Sequence, residues 1–260
     1  MSRLGEAFRA SRAAGRAALI PYITAGDPSL EATVAAALAL AEAGADIIEL
    51  GVPFSDPVAD GPVIQAASER ALARGVRLED VLAAAGVIRR QCGAGLLMFS
   101  YFNPVLQFGV ERFAAAAAAA GCDGALITDL IPEEAGAYRA AMAAAGLDTV
   151  FLAAPTSTDA RLEAIARASS GFIYAVARLG VTGSLSAAGG AETLVGNLRR
   201  HTRLPVAVGF GLARAEQVRA VAKFADGAVV GSALVAAMAA AASGGGDPAA
   251  AAGQFLRGLQ

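Results

Sequence analysis

Eight short, almost uninterrupted apolar runs recur along the 260 residues, at 17–24, 46–50, 95–100, 124–128, 149–153, 172–176, 205–209 and 227–230. Helical patterns fill the intervals, near 28–43, 62–73, 78–91, 110–120, 133–145, 159–168, 191–199, 214–222 and 232–242, and a short amphipathic helix opens the chain. A strand that is apolar at successive positions is buried on both faces, which is the condition of a parallel sheet covered by helices. Eight such units in a chain of this length predict α/β architecture in one domain, 1–260: a single TIM (β/α)8 barrel with an extra N-terminal helix. A doubly wound sheet is the alternative, but no Gly-rich dinucleotide turn follows the first strand.

Composition narrows the partners. Apolar residues reach 56% mainly through Ala, and the tract at 114–120, between Phe113 and Cys122, reads as a packed Ala-rich helix. The best membrane candidate, 232–242, is too short to span a bilayer, and the N-terminus lacks a continuous apolar signal core, so the expected location is cytoplasmic with no membrane contact. A net charge of −2 without a basic block argues against nucleic acid. Cys92 and Cys122 stand apart beside apolar segments, as reduced core thiols do. With one histidine, His201, and two separated cysteines, no transition-metal cluster can be assembled.

The second run ends on a carboxylate, Glu49, where a strand buried on both faces should stay apolar. Gly51, Pro53, Pro57, Gly61 and Pro62 then enforce a long irregular loop that carries Asp56 and Asp60. In a barrel the active face is built from strand C-termini and the loops after them. Tyr22, Glu49, Asp60, Tyr101, Asn103, Asp129, Tyr174, Thr182, Phe210 and Ser232 all fall there. Taken singly, Glu49 equally fits a paired structural carboxylate and Asp60, before Gly and Pro, a turn residue. Glycines cluster in the last three loops, at 180–183, 209–211 and 231, where backbone N–H groups and a helix N-terminus suit an anion. Each piece alone reads as a turn; three in consecutive units imply a phosphorylated ligand, with Ser232 adding a hydroxyl.

A Schiff-base aldolase needs a lysine at that face, and the one lysine, Lys223, ends the helix before strand eight, at the opposite end of the barrel. His201 precedes strand seven, also at that end. Carboxylate acid–base chemistry remains, and a partly desolvated Glu49 would have the raised pKa that suits proton transfer near neutrality, worth about 10²–10⁴-fold in rate.

The segment Glu-Leu-Gly-Val-Pro-Phe-Ser-Asp-Pro-Val-Ala-Asp-Gly-Pro at 49–62 is similar to the signature of tryptophan synthase α subunits. Further matches run in order along the chain: Pro21-Tyr-Ile-Thr-Ala-Gly-Asp-Pro28, Tyr101-Phe-Asn-Pro104, 129–134, Gly180-Val-Thr-Gly183, Gly209-Phe-Gly211 and Gly231-Ser232. The resemblance implies a retro-aldol cleavage of indole-3-glycerol phosphate to indole and glyceraldehyde 3-phosphate. By it, Glu49 protonates indole C3 and then takes the glycerol hydroxyl proton, while Asp60 handles the indole N–H. Tyr22, Phe99, Tyr101, Thr128 and Phe210 would wall the indole pocket, with Tyr174 and Thr182 also at the substrate; Gly183, Gly211, Gly231 and Ser232 would hold phosphate.

The same resemblance implies no cofactor in this chain, and an α2β2 heterotetramer with a β subunit that carries pyridoxal phosphate. Asp56, Pro57 and the Asn103-Pro104 loop would map to that contact. The segment 179–191 resembles the family's lid, and Ala177 stands where family members usually have Ser. A stand-alone indole-3-glycerol phosphate lyase, a non-catalytic allosteric barrel and another phosphate-binding barrel enzyme such as a phosphosugar isomerase remain as rivals.

Overall fold

A computed structural model describes residues 2–176, 185–209 and 211–260. In chain order the elements are α1 (Arg3–Ala13), β1 (Ala18–Thr24), α2 (Leu30–Glu42), β2 (Ile47–Gly51), α3 (Pro62–Ala73), α4 (Leu78–Arg89), β3 (Gly95–Ser100), α5 (Phe102–Phe108), α6 (Val110–Ala119) and β4 (Gly124–Ile127). They continue with α7 (Gly136–Ala144), β5 (Asp148–Ala153), α8 (Asp159–Ala168), β6 (Ile173–Val176), α9 (Leu185–Leu198), β7 (Val206–Gly209), α10 (Ala215–Val221), β8 (Gly227–Val230), α11 (Ser232–Ser243) and α12 (Pro248–Arg257). Each strand pairs in parallel with the next and β1 pairs with β8, so the sheet closes into an eight-stranded barrel. A doubly wound sheet would leave two edges; here there are none.

Two layers of apolar side chains follow from the alternation along each strand. Ala18, Ile20, Ile47, Leu97, Leu126, Val150, Ala207 and Val229 fill the barrel interior. Their neighbours in the strands pack outward against the helices in a larger shell. The Ala-rich tract lies in α6, where Phe113, Ala114 and Ala117 are buried on one face, so small side chains let that helix lie close to its neighbours.

Helix α1 closes the bottom of the barrel. Leu4 and Phe8 join the interior cluster, and Phe8 meets Phe172 with ring centroids 5.3 Å apart. Arg3 and Arg12 of α1 and Arg16 just after it reach Asp123, Asp226 and Asp46 at 2.8, 2.6 and 2.5 Å. Each of those aspartates immediately precedes a strand or lies one residue before it, and also accepts a backbone N–H at the start of a neighbouring strand, from Leu96, Val206 and Leu19 respectively. The guanidinium groups therefore meet carboxylates already held by main chain.

Several expectations shift. Asn103 and Pro104 do not lie in a loop: they sit in the first turn of α5, where a proline sacrifices no intrahelical hydrogen bond. A twelfth helix, α12, follows 242, started by Asp247, whose Oδ1 accepts from the Ala249 N–H at 2.8 Å, and by Pro248 at its first position. Helix α7 begins at Gly136 rather than 133, because Pro132, Glu133 and Glu134 form a turn. Helix α9 starts at Leu185, six residues ahead of 191, so part of the segment expected as a lid is helical. Ala177, Thr182, Gly183, Phe210 and the 179–184 portion of that segment lie outside the described residues.

Candidate active site

At the C-terminal mouth of the barrel the inward alternation continues one step above the interior layer, and the residue types change. Ile20 is followed by Tyr22, Ile47 by Glu49, Leu97 by Phe99, Leu126 by Thr128, Val150 by Leu152 and Phe172 by Tyr174. These upper positions line a cavity of about 310 Å³, with Val176, Val229, Gly211, Gly231 and Ser232 across from the 59–61 segment and Ile64. Its surface is mostly apolar with a few polar groups turned inward, the pattern of a small-molecule site.

Glu49 stands in β2 between Tyr22 of β1 and Leu97 of β3 in the strand register. The residue is completely buried, and neither carboxylate oxygen has a hydrogen-bond partner among the described residues. A buried charge without a partner is expensive, so the proton is retained: desolvation pushes the pKa up to about 8. At neutral pH this side chain is a carboxylic acid with a proton to give.

Asp60 enters the cavity from the loop between β2 and α3. That loop is held by Val52 N–H on the Phe99 carbonyl (2.8 Å), Asp60 N–H on the Pro57 carbonyl (3.0 Å) and the Gln65 amide on the Asp60 carbonyl (2.8 Å). Burial raises the Asp60 pKa, and the hydroxyl of Tyr101, donating to Oδ2 at 3.0 Å, works in the opposite direction. Tyr101 itself does not line the cavity; it is buried behind Asp60, and its hydroxyl accepts the Ala59 N–H at 2.9 Å.

Two tyrosines flank the acids. Tyr22 packs edge-on against Phe99, 5.1 Å between centroids at 74°, and Tyr174 lies at the same level on β6. Burial first, then the negative charges of Asp60 and Glu49, raise the pKa of the Tyr22 hydroxyl; burial and the same two carboxyls, Glu49 ahead of Asp60, raise that of Tyr174. Both remain neutral hydroxyls. Glycines make room for them: a Cβ on Gly51 would stand 2.1 Å from the Tyr22 hydroxyl, and one on Gly209 the same distance from that of Tyr174.

The far rim carries a helix N-terminus. Gly231 is the N-cap of the twelve-residue helix α11 and Ser232 its first residue, with no acidic side chain in the first turn. The unsatisfied N–H groups and the positive end of the helix dipole converge there. Gly211 holds φ +83°, a left-handed conformation that suits glycine.

The remaining sequence candidates lie around the mouth. Asp56 and Asn103 are exposed, Pro57 and Pro104 half-buried, and the exposed apolar Val58, Leu106 and Ile131 belong to the same loops and helix starts. Asp129 does not reach the cavity; its Oδ1 accepts the Phe102 N–H at 2.7 Å at the start of α5. His201 and Lys223 follow α9 and α10, ahead of β7 and β8, and neither lines the cavity; His201 pairs with Asp159, the first residue of α8, at 3.0 Å. Ile64, Leu152, Val176 and Val229 also line the site, and no sequence signal sets them apart: the last three are apolar residues of doubly buried strands, indistinguishable there from their outward neighbours. Among the described residues no group of three or more His, Cys, Asp or Glu is placed to hold a metal ion, and no helix is long and apolar enough to cross a membrane.

Comparison with known proteins places this geometry. Residues 8–254 match the family model described as Tryptophan synthase alpha chain. The tryptophan synthase alpha chain of Solibacter usitatus is 52% identical over 238 residues, covering 90% of this chain and 88% of that one. Among solved structures, the aminoacrylate-bound form of tryptophan synthase from M. tuberculosis superposes with TM-score 0.89 at 44% identity over 100% of both chains. The tryptophan synthase subunit alpha of Legionella pneumophila superposes with TM-score 0.92 at 36% identity over 100% of this chain and 97% of that one.

Proposed function

The chain belongs to the tryptophan synthase alpha chain family, lyases of tryptophan biosynthesis that cleave indole-3-glycerol phosphate to indole and glyceraldehyde 3-phosphate, and we propose that Glu49 and Asp60 carry that cleavage here. The observation that carries this reading is the burial of Glu49, partnerless and protonated at neutral pH, on the floor of a cavity whose wall holds a second carboxyl and whose rim is a helix N-terminus.

Those placements support the following steps. The phosphate sits at Gly211, Gly231 and Ser232 and the indole between Tyr22, Phe99, Thr128 and Tyr174; the family resemblance adds Gly183 to the first set and Thr182 and Phe210 to the second, all three outside the described residues. Glu49 delivers its proton to indole C3, which turns the ring into a cation centred on its nitrogen. The Asp60 carboxylate accepts the ring N–H and stabilises that charge. Glu49, now a carboxylate, takes the proton of the hydroxyl on the adjoining side-chain carbon. As that oxygen becomes the aldehyde, the carbon–carbon bond breaks and its electron pair neutralises the ring cation. Indole leaves, Glu49 is protonated again, and no external electron sink enters the balance. Proton transfer by a positioned carboxyl contributes about 10²–10⁴-fold; electrostatic stabilisation by Asp60 adds to it.

The single domain, 1–260, acts in the cytoplasm and takes a β subunit as partner. The assembly is an α2β2 heterotetramer; pyridoxal phosphate resides in the β subunit, and this chain works without a cofactor. Asp56, Pro57, Asn103 and Pro104, with exposed Val58 and Leu106 beside them, form the contact surface. A coupled assay on indole-3-glycerol phosphate tests both parts. Near-complete loss in Glu49→Gln, severe loss in Asp60→Asn and strong activation by added β subunit are expected. Wild-type turnover by Glu49→Gln would overturn the mechanism, and equal rates with and without the β subunit would overturn the partnership.

A further inference from the structure

We infer that Tyr101 is a positioning residue for Asp60: its hydroxyl, clamped by the Ala59 N–H, donates its one proton to Asp60 Oδ2 and so fixes the carboxylate that receives the indole N–H. This rests on the reading of Asp60 given above and assigns Tyr101 a part other than that of a pocket wall.

Asp60 has no secondary structure of its own to hold it. It lies in the loop between β2 and α3, just before Gly61, the N-cap of α3, and a short side chain at such a place has several rotamers. Tyr101 supplies the missing constraint from a rigid element. It follows β3 directly, is the N-cap residue of α5 and is 3% exposed. Its ring lies against Phe54 of the same loop, centroids 5.1 Å apart at 30°.

The direction of the hydrogen bonds is settled by counting protons. A phenol has one donor and can accept at its lone pairs. Ala59 brings an N–H to the oxygen at 2.9 Å, which uses an acceptor site. The Thr128 hydroxyl is a further partner of this oxygen, and because an ionised carboxylate has no hydrogen to give, the bond to Asp60 at 3.0 Å carries the phenolic proton toward the carboxylate. Oδ2 is thereby engaged, and among the described residues Oδ1 makes no hydrogen bond and is open to a ligand N–H. The ring is absent from the cavity lining, so a change at the hydroxyl is passed on by the lining side chains it bonds, Asp60 and Thr128.

A donated hydrogen bond favours the ionised carboxylate. Among the described residues the other titratable groups facing Asp60 are the neutral hydroxyls of Tyr22 and Tyr174 and, across the cavity, Glu49. Glu49 is uncharged over most of the working range, so Tyr101 is the group that holds Asp60 ionised.

The experiment is a binding cycle with indolepropanol phosphate, read by calorimetry on wild type, Tyr101→Phe, Asp60→Asn and the double variant, together with kcat/KM against pH for wild type and Tyr101→Phe in the complex with β subunit. The expected result is about tenfold weaker binding for each single variant, the double variant no weaker than Asp60→Asn alone, and an acid limb displaced by about one pH unit upward in Tyr101→Phe. Phe54→Leu, which leaves the hydroxyl but loosens the ring, moves the same limb in the same direction by less. If Tyr101→Phe weakens binding equally in both backgrounds and leaves the acid limb where it was, Tyr101 is a wall and the inference fails while the role of Asp60 stands. If Asp60→Asn binds and turns over like wild type, the role of Asp60 falls and the positioning role with it.

Discussion

The Tyr22 hydroxyl occupies the volume that a side chain at residue 51 would need: a Cβ built on Gly51 comes within 2.1 Å of that oxygen and within 2.6 Å of two ring carbons. Gly51 is the last residue of β2, two after Glu49, and Tyr22 is the β1 partner of Glu49 in the register. The missing side chain is what lets an aromatic wall and a buried acid share one level of the barrel. Gly51→Ala should destabilise the fold by about 1–3 kcal/mol, as overpacking a close-packed core does. Adding Tyr22→Phe should recover little, since ring carbons clash as well as the hydroxyl, whereas adding Tyr22→Leu should recover most of it. Urea midpoints for the three proteins check this, and Gly51→Ala at the wild-type midpoint would refute the packing.

Glu49 must hold its proton when the substrate arrives, and that proton is lost above about pH 8. The rate of the β-complexed protein, followed as kcat/KM, should therefore fall on the alkaline side with a midpoint near that value. The acid limb belongs to Asp60, which has to be ionised to accept the ring N–H; burial raises its pKa, so that limb lies above the usual carboxylate range. A flat profile between pH 7 and 9.5 would contradict the assignment of Glu49 as the acid.

The same shift is a statement about stability. Folded Glu49 keeps its proton up to about pH 8, whereas in the unfolded chain it ionises at about 4.3. Between those values the native state binds the extra proton, so wild-type stability falls as pH rises, by at most about 1.4 kcal/mol per pH unit. Glu49→Gln has no proton to lose. Its melting temperature should match wild type near pH 4.5 and exceed it increasingly toward pH 8, which differential scanning calorimetry over that range reads directly.

The polar half of this site is legible in the sequence because a carboxylate or tyrosine at the end of an apolar strand breaks a pattern, as Glu49 and Tyr22 do. Leu152, Val176 and Val229 break nothing. In strands buried on both faces an inward leucine looks the same as an outward one, and only closure of the sheet decides which layer each joins. Ile64 comes from the first turn of α3, out of reach of any strand rule. The hydroxyl of Tyr101 is a long-range matter, since Asp60 is 41 residues away in sequence. Helix α5 is hidden by Pro104 and α12 by the glycines before Asp247, both of which read as chain breaks until the helix-start role of proline is considered.

Phe8 tests the separation of the two ends of the barrel. It is 3% exposed, packs at a tilt against Phe172 and comes from α1, far from the mouth. Phe8→Ala removes a ring that plugs the barrel floor and should cost about 3–5 kcal/mol. Activity per folded molecule should be unchanged, because Phe8 comes from α1 below the interior layer and is not among the residues that line the cavity. Denaturation and initial rates measured on the same sample distinguish the two effects. A loss of kcat equal to the loss of stability would mean that the floor positions the site after all.

Ser232 offers a case in which binding and stability should move in opposite directions. It is exposed, at the first position of α11, in a first turn with no acidic residue. A carboxylate there meets the positive end of the helix dipole and should stabilise the fold by about 0.3–1 kcal/mol. The same carboxylate would occupy the place proposed for the substrate phosphate and repel it: two unit charges 4 Å apart at an effective dielectric of 20 differ by about 4 kcal/mol from no charge at all, and exposure reduces that to about half. Ser232→Asp should thus melt slightly higher than wild type while its KM rises by about 10–100-fold with kcat little altered, since the reacting carbons lie at the other end of the substrate. Ser232→Ala, which removes one hydroxyl and adds no charge, should raise KM by less than about tenfold. Thermal melts and initial-rate kinetics on both variants decide it: an unchanged KM in Ser232→Asp would mean that the anion does not bind at the α11 N-terminus, whatever becomes of the roles of Glu49 and Asp60.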